Sequence, residues 1–225
     1  MTGRPGSANG APTAGGMPAD EAPADEAYRI VRSRIDLTRL APLSRWVTER
    51  VIVASADFDY ATDLVCDEQA LAAGVAEIAA GAPVIADDVT VAAGIPGYQV
   101  ICKSEESLTG RLARTAGIGK AAAAVRLAFG QAGPGAIWVV GCAATALAEI
   151  MSRNVQPALV IALPVGLAGA AEAKDALRAS GLPALTNVSE KGGAAVAAAA
   201  FCALADAAGA PAGASAAGKT APGSH

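Results

Sequence analysis

Histidine is nearly missing from this chain: its 225 residues include one, His225, at the last position. A Ser-His-Asp triad therefore has no base in the body of the sequence, and metal sites lose their commonest ligand. Aromatic residues make up 4%, against a hydrophobic share of 53% that is mostly Ala and Val. A sizeable core can be buried, but from small side chains that let helices and sheet approach closely. The four cysteines, Cys66, Cys102, Cys142 and Cys202, never form a CxxC pair. That argues against a disulfide framework and points to buried apolar thiols. Neither dinucleotide nor Walker-type glycine fingerprints occur. The net charge of -4 comes without a concentrated basic patch, so nucleic acid is not an expected partner. The apolar stretches near 155–171 and 192–211 are cut by Pro157, Pro164 or Asp206. No membrane span or targeting segment is expected, and the default location is the cytoplasm.

Residues 1–25 and 207–225 are rich in Gly, Ala and Pro and read as disordered tails. Between them, 26–206 reads as one domain. Helices are expected at 26–33, 43–63, 68–80, 120–130, 144–154, 169–180 and 194–206. Strands are expected at 83–86, 98–102, 135–141, 157–166 and 182–188. Residues 135–141 and 157–166 are continuous apolar runs followed by Gly or Pro turns and helices, the pattern of strands buried on both faces. Repeated strand-turn-helix units imply a single α/β domain, a parallel-sheet, three-layer Rossmann-like arrangement with helices on both faces.

Ligands of such sheets sit at the carboxyl ends of the strands. That rule singles out Asp87–Thr90, Gly141–Thr145, Pro164–Lys174 and Ser189–Gly193. Three of these are glycine-bearing turns that open helices, where backbone N–H groups can hold anions. Asp87 and Asp88 suit a ligand contact or a helix cap. Thr145 suits either role as well. Glu172 and Lys174 suit a ligand contact or a surface pair, and Lys120 an anion contact. Cys142 at a helix start could be a thiolate.

LPVGLAGAAEAKDAL at 163–177 resembles the PVGFVGAAESK signature of the precorrin-8X methylmutases. AAGAPVIADDVTVAAGI (79–95), VVGCAATAL (139–147), KGGAAVAAAA (191–200) and VIVASADFDYATDL (51–64) resemble further segments of that family, in the same order. The resemblance implies an isomerase of cobalamin biosynthesis. It would shift a methyl group between neighbouring ring carbons of a carboxylated tetrapyrrole, as a homodimer, without metal or organic cofactor. It also implies substrate contacts at Asp87, Lys120, Cys142, Thr145, Gly166, Glu172, Lys174, Gly192 and Gly193.

Departures from the family pattern concern the polar lining. Val53 stands at the position of the family's catalytic histidine and cannot transfer a proton. Glu26-Ala27 replaces an Arg-Ser pair, Lys120 replaces an arginine, Cys142-Ala143-Ala144 replaces Asn-Ala-Pro, and Val188-Ser189-Glu190 replaces Arg-Gly-Arg. Asp57, four residues beyond Val53 and on the same face if the helix continues, is the candidate replacement acid. Three functions follow: a slow methylmutase, a non-catalytic tetrapyrrole-binding paralogue, or an enzyme of another pathway with a repurposed pocket.

Overall fold

The computed structural model describes residues 21–209. Most of the two expected tails lies outside that range. The first helix, α1 (Glu21–Arg34), begins five residues before the position expected for it. The others are α2 (Pro42–Ser55), α3 (Tyr60–Asp63), α4 (Glu68–Ala79), α5 (Val89–Ala93), α6 (Ser107–Ala116), α7 (Lys120–Ala132), α8 (Ala144–Ser152), α9 (Ala170–Ala179) and α10 (Ala194–Ala207). Strands are β1 (Leu64–Cys66), β2 (Val84–Ala86), β3 (Val100–Cys102), β4 (Ile137–Val140), β5 (Leu159–Ala162) and β6 (Ala184–Asn187).

The six strands form one sheet in the order β1-β6-β5-β4-β2-β3. All pairs are parallel except β1 with β6. Strand side chains divide between two cores. Val84, Ala86, Ile137, Val139, Leu159, Ile161 and Leu185 join a core with residues of α2, α4 and α10. Ile85, Trp138, Val140, Val160 and Ala162 point to the other face, with residues of α7, α8 and α9. Period-two alternation with apolar residues on both sides produces the continuous apolar runs.

Alanine-rich α10 shows why small residues dominate. It is buried along most of its length, from Val196 to Ala205, and packs mainly against α2 and α4. A Cβ at Gly94 would lie 2.7 Å from Ala198 Cβ, and one at Gly141 would lie 3.0 Å from Ala194 Cα. Close approach here leaves no room for larger side chains.

Three expectations need correction. The helix expected over 43–63 stops at Ser55, because Ala56 turns left-handed (φ 55°) and donates its N–H to Ile52 O. This is a common helix stop. The chain then makes the short α3 and the antiparallel edge strand β1, which was not anticipated. Helix α6 was not anticipated: it is amphipathic, but Gly110 inside it lowers its helix propensity. The thiols are not fully buried either: Cys142 is exposed and the other three are partly covered.

Gly192 carries the tightest backbone contact. Its φ is 150°, and a Cβ there would lie 2.1 Å from Leu163 O. Gly166 has no such constraint, its nearest neighbour being Ala170 Cβ at 3.6 Å. Gly192→Ala should therefore cost about 2–4 kcal/mol and Gly166→Ala less than about 1 kcal/mol, measured by denaturant unfolding. Equal costs would contradict this reading of the turn.

Candidate functional site

The chain runs from β2 to β3 and then crosses to β4 on the other side of β2, so the sheet changes direction between β2 and β4. A crevice forms at the carboxyl ends of strands at such a point and is the usual ligand position. Here Asp87 fills it. Its carboxylate accepts the backbone N–H groups of Gly141, Cys142 and Ala143 at 3.0, 2.9 and 2.6 Å. These donors belong to the β4–α8 turn, immediately before the first residue of α8. Burial pushes the Asp87 carboxyl above its usual range, and the three N–H bonds pull the other way. Asp87 is thus committed to joining the β2–α5 and β4–α8 turns. Asp88 beside it caps α5 through Thr90 N–H at 2.9 Å.

The β5–α9 and β6–α10 turns are joined in a second way. Gly166 N–H donates to Glu190 O (3.0 Å), and Gly193 N–H donates to Leu163 O (2.8 Å). Lys174 lies beneath them with no solvent exposure. Its ammonium donates to Pro164 O (3.3 Å), Asn187 Oδ1 (2.8 Å), Lys191 O (2.9 Å) and Ser189 O. Desolvation pulls its pKa down to about 8, opposed by Asp63 and Glu190, with Arg178 adding to the fall. The expected ligand contact or surface pair with Glu172 is therefore corrected: Lys174 is internal, while Glu172 is exposed.

Asp63 grips the β6–α10 turn from the other side. Its carboxylate accepts the N–H groups of Val188 and Ser189, the Ser189 hydroxyl and the Asn187 amide, all within 3.1 Å. Lys191 extends outward to Asp57 Oδ2 (2.7 Å) and Asp59 Oδ2 (2.6 Å). That pair holds the Asp57 carboxyl below its usual range. Asp57 is also past the end of α2, so it does not share a helix face with Val53. An ionised, paired carboxylate is a poor proton donor, and the structure opposes the acid role considered for Asp57.

Val53 is partly buried and packs against the core cluster. Lys120 at the start of α7 pairs with Glu105 at 3.0 Å, both exposed. The Asp88 carboxyl is held below its usual range chiefly by its Thr90 hydrogen bonds, with a smaller contribution from the Lys120 charge. Thr145 is exposed and does not cap α8. Cys142 Sγ lies 3.4 Å from Thr90 Oγ1, and burial, with Asp87 and Asp88 nearby, raises its thiol pKa. The helix-start thiolate is thus corrected: burial first, and then the neighbouring carboxylates, disfavour the charged form. Gly166, Gly192 and Gly193 shape the paired turns.

The four expected segments converge on one edge, where a small recess of about 10 Å³ lies beside Asp87 and Ala121 among the described residues. The larger concavities, near 660 and 670 Å³, lie between α1 and α2 and at the amino ends of β2 and β3. Sequence reasoning missed Asp63, Asn187 and Lys191 as members of the network. Asp63 was hidden inside the overlong helix. The polar run Asn187–Lys191 after a buried strand was the available signal for the others.

Burial opposes ionisation of Asp63, but bonds from Asn187, Ser189 and two backbone N–H groups outweigh it and lower its pKa. A lowered carboxylate pKa contributes stability that is present above the unfolded value, about 3.9, and is lost as pH falls through the lower folded value. Asp63→Asn should cost about 1–3 kcal/mol at pH 7 and flatten the stability curve below about pH 4. Unfolding monitored across pH 2–7 checks both, and an unchanged acid limb would contradict them.

Comparison with known proteins was made against this geometry. The family model described as precorrin-8X methylmutase matches residues 24–207. A cobalt-precorrin-8 methylmutase of Methanocaldococcus jannaschii is 32% identical over 184 residues, covering 77% of this chain and 87% of the relative. One from Salmonella typhimurium is 33% identical over 182 residues, covering 78% and 87%. The solved precorrin-8x methyl mutase of Thermus thermophilus superposes with a TM-score of 0.76 at 32% identity, over 84% of this chain and 96% of that one. The chain belongs to the precorrin-8X methylmutase family.

Proposed function

We propose that this protein is an isomerase of cobalamin biosynthesis that shifts a methyl group within precorrin-8 or its cobalt complex. The observation that carries this reading is the match to the family over residues 24–207, together with a sheet edge whose turns are held rigid from beneath. The reaction is an internal rearrangement. The methyl group leaves one ring carbon and bonds to its neighbour, and any proton taken up in one step is returned in another. No net electron donor or acceptor is needed. Binding and orientation of the macrocycle therefore supply most of what the protein contributes.

Val53 changes how protonation is achieved. A valine provides no acid, and Asp57 is held ionised by Lys191. Solvent water is the proton source in this reading, and the migration is slower than with a positioned histidine. A general acid is worth roughly 10² to 10⁴ in rate. Thr145, Lys120, Cys142 and the outer faces of the Gly166 and Glu190 turns line the ligand side. Glu190 and Glu172, both exposed, disfavour one or two of the ring's peripheral carboxylates there.

Homodimerisation belongs to the same proposal. Val89, Leu108, Val165, Leu167 and Val188 are all exposed, Leu167 by 93%. Each follows a strand or opens the next helix at the carboxyl edge. An apolar rim around an open ledge suits a second subunit that closes the ligand space.

Cobalt-precorrin-8 should be converted to the rearranged corrin slowly but measurably above solvent background. Val53→His should raise that rate by up to about 10²-fold. Binding without turnover in both forms would favour a tetrapyrrole-binding paralogue, and no binding would favour another pathway. Leu167→Asp should shift the protein from dimer toward monomer in sedimentation velocity and weaken ligand binding along with it. A monomeric unaltered protein would refute the dimer.

A further inference from the structure

We propose that Lys174 is a positioning residue that fuses the β5–α9 and β6–α10 turns into one rigid ledge beneath the ligand. The proposal rests on the reading of this edge as the tetrapyrrole site. Lys174 reaches the turns from the second turn of α9 and is completely buried, so ligand never touches it. Its three ammonium protons face four oxygens. Pro164 O belongs to the first turn, Ser189 O and Lys191 O to the second, and Asn187 Oδ1 to the strand end between them. Three carbonyl oxygens thus converge on one point charge, two of which, Ser189 O and Lys191 O, also accept from the Asn187 amide at 3.2 and 3.0 Å. Lysine suits this task because its compact ammonium has rotatable donors, whereas the planar fork of arginine does not match a convergent cage.

The outward faces of the same residues form the exposed rim. Val165 and Leu167 follow Pro164, and Val188 and Glu190 flank Ser189. The cross-bonds Gly166 N–H to Glu190 O and Gly193 N–H to Leu163 O link the same two turns directly. Asp63 holds the second turn from α3 and Arg178 donates to Asn187 O at 2.8 Å. Lys174 alone among these side chains bonds to both turns. Without it, the cross-bonds are exposed to fraying, and the two turns lose their common geometry.

The test uses amide hydrogen exchange and absorbance titration with cobalt-precorrin-8, on the unaltered protein and K174M. Methionine keeps the length and apolar stem but supplies no donors. In K174M, amides of 165–169 and 188–193 should exchange about tenfold faster or more, while β4 (137–140) stays protected. The dissociation constant for cobalt-precorrin-8 should rise by about tenfold, because binding must then also order the two loosened turns. Unchanged exchange in both turns would overturn the proposal. So would faster exchange spread evenly through the sheet, because that marks a general loss of stability. In the unaltered protein, the Lys174 ammonium should give a slowly exchanging ¹⁵N signal, unlike the exposed Lys120. A rapidly exchanging Lys174 signal would overturn the proposal without any variant. Exchange requires no ligand: if the unaltered protein fails to bind cobalt-precorrin-8, the substrate assignment falls and the pin is still judged on its own data.

Discussion

Asp87 occupies the position that an open α/β sheet ordinarily leaves for a ligand. Its carboxylate takes three backbone N–H groups at the start of α8, within a crevice made by the change of strand direction between β2 and β4. A buried carboxylate is costly without such partners, and three bent-in amide donors are costly without an anion. Each feature makes the other tolerable. The consequence is functional as well as structural. The Gly141–Ala143 amides are thereby closed to an anionic substrate group, and the other turns at this edge are those after β5 and β6. There the same solution recurs with the charge reversed, as Lys174 gathers carbonyl oxygens.

This arrangement explains why the edge is an open ledge. Side chains that could have walled a pocket are turned inward to hold backbone. Those left outside are apolar or acidic: Val165, Leu167, Val188, Glu172 and Glu190. Lys120 and Lys191 are engaged with Glu105, Asp57 and Asp59. Surface pairs of this kind contribute little to stability, but they do determine which charges a ligand meets. A polycarboxylate arriving here finds cations already shared with acidic neighbours.

Most of the fold was legible in the sequence because two-sided burial writes itself plainly. Ile137–Val140 and Leu159–Ala162 are apolar at every position, and the turns after them carry Gly or Pro. Strand β1 was not legible. Leu64–Cys66 is three residues long, half-exposed, and preceded by helical residues, so its pairing with β6 is a tertiary choice rather than a local one. The break at Ala56 was equally hidden, since alanine is the strongest helix former and nothing local marks a left-handed stop. That error carried Asp57 onto the wrong face and concealed Asp63. At the site, the identity of important residues was readable and their direction was not. Asp87 and Lys174 look like ligand contacts in sequence; only burial and hydrogen bonding show that both face inward.

Val53 and the acidic rim bear on each other. With the histidine alone missing, the simplest outcome would be the same substrate handled more slowly. Glu190 adds a second change, because a carboxylate on the ledge repels the peripheral acids of the macrocycle. Yet the internal supports, Asp87, Lys174, Gly192 and Asp63, form a complete hydrogen-bonded frame. Apolar packing could not replace these clamps, because the backbone amides and carbonyls they bind would lose their partners. What charged clamps add is a fixed turn geometry, and fixed geometry matters where a rigid macrocycle must be seated. In the function proposed above, this frame seats the macrocycle, and Glu190 and Val53 set how tightly and how fast it is handled.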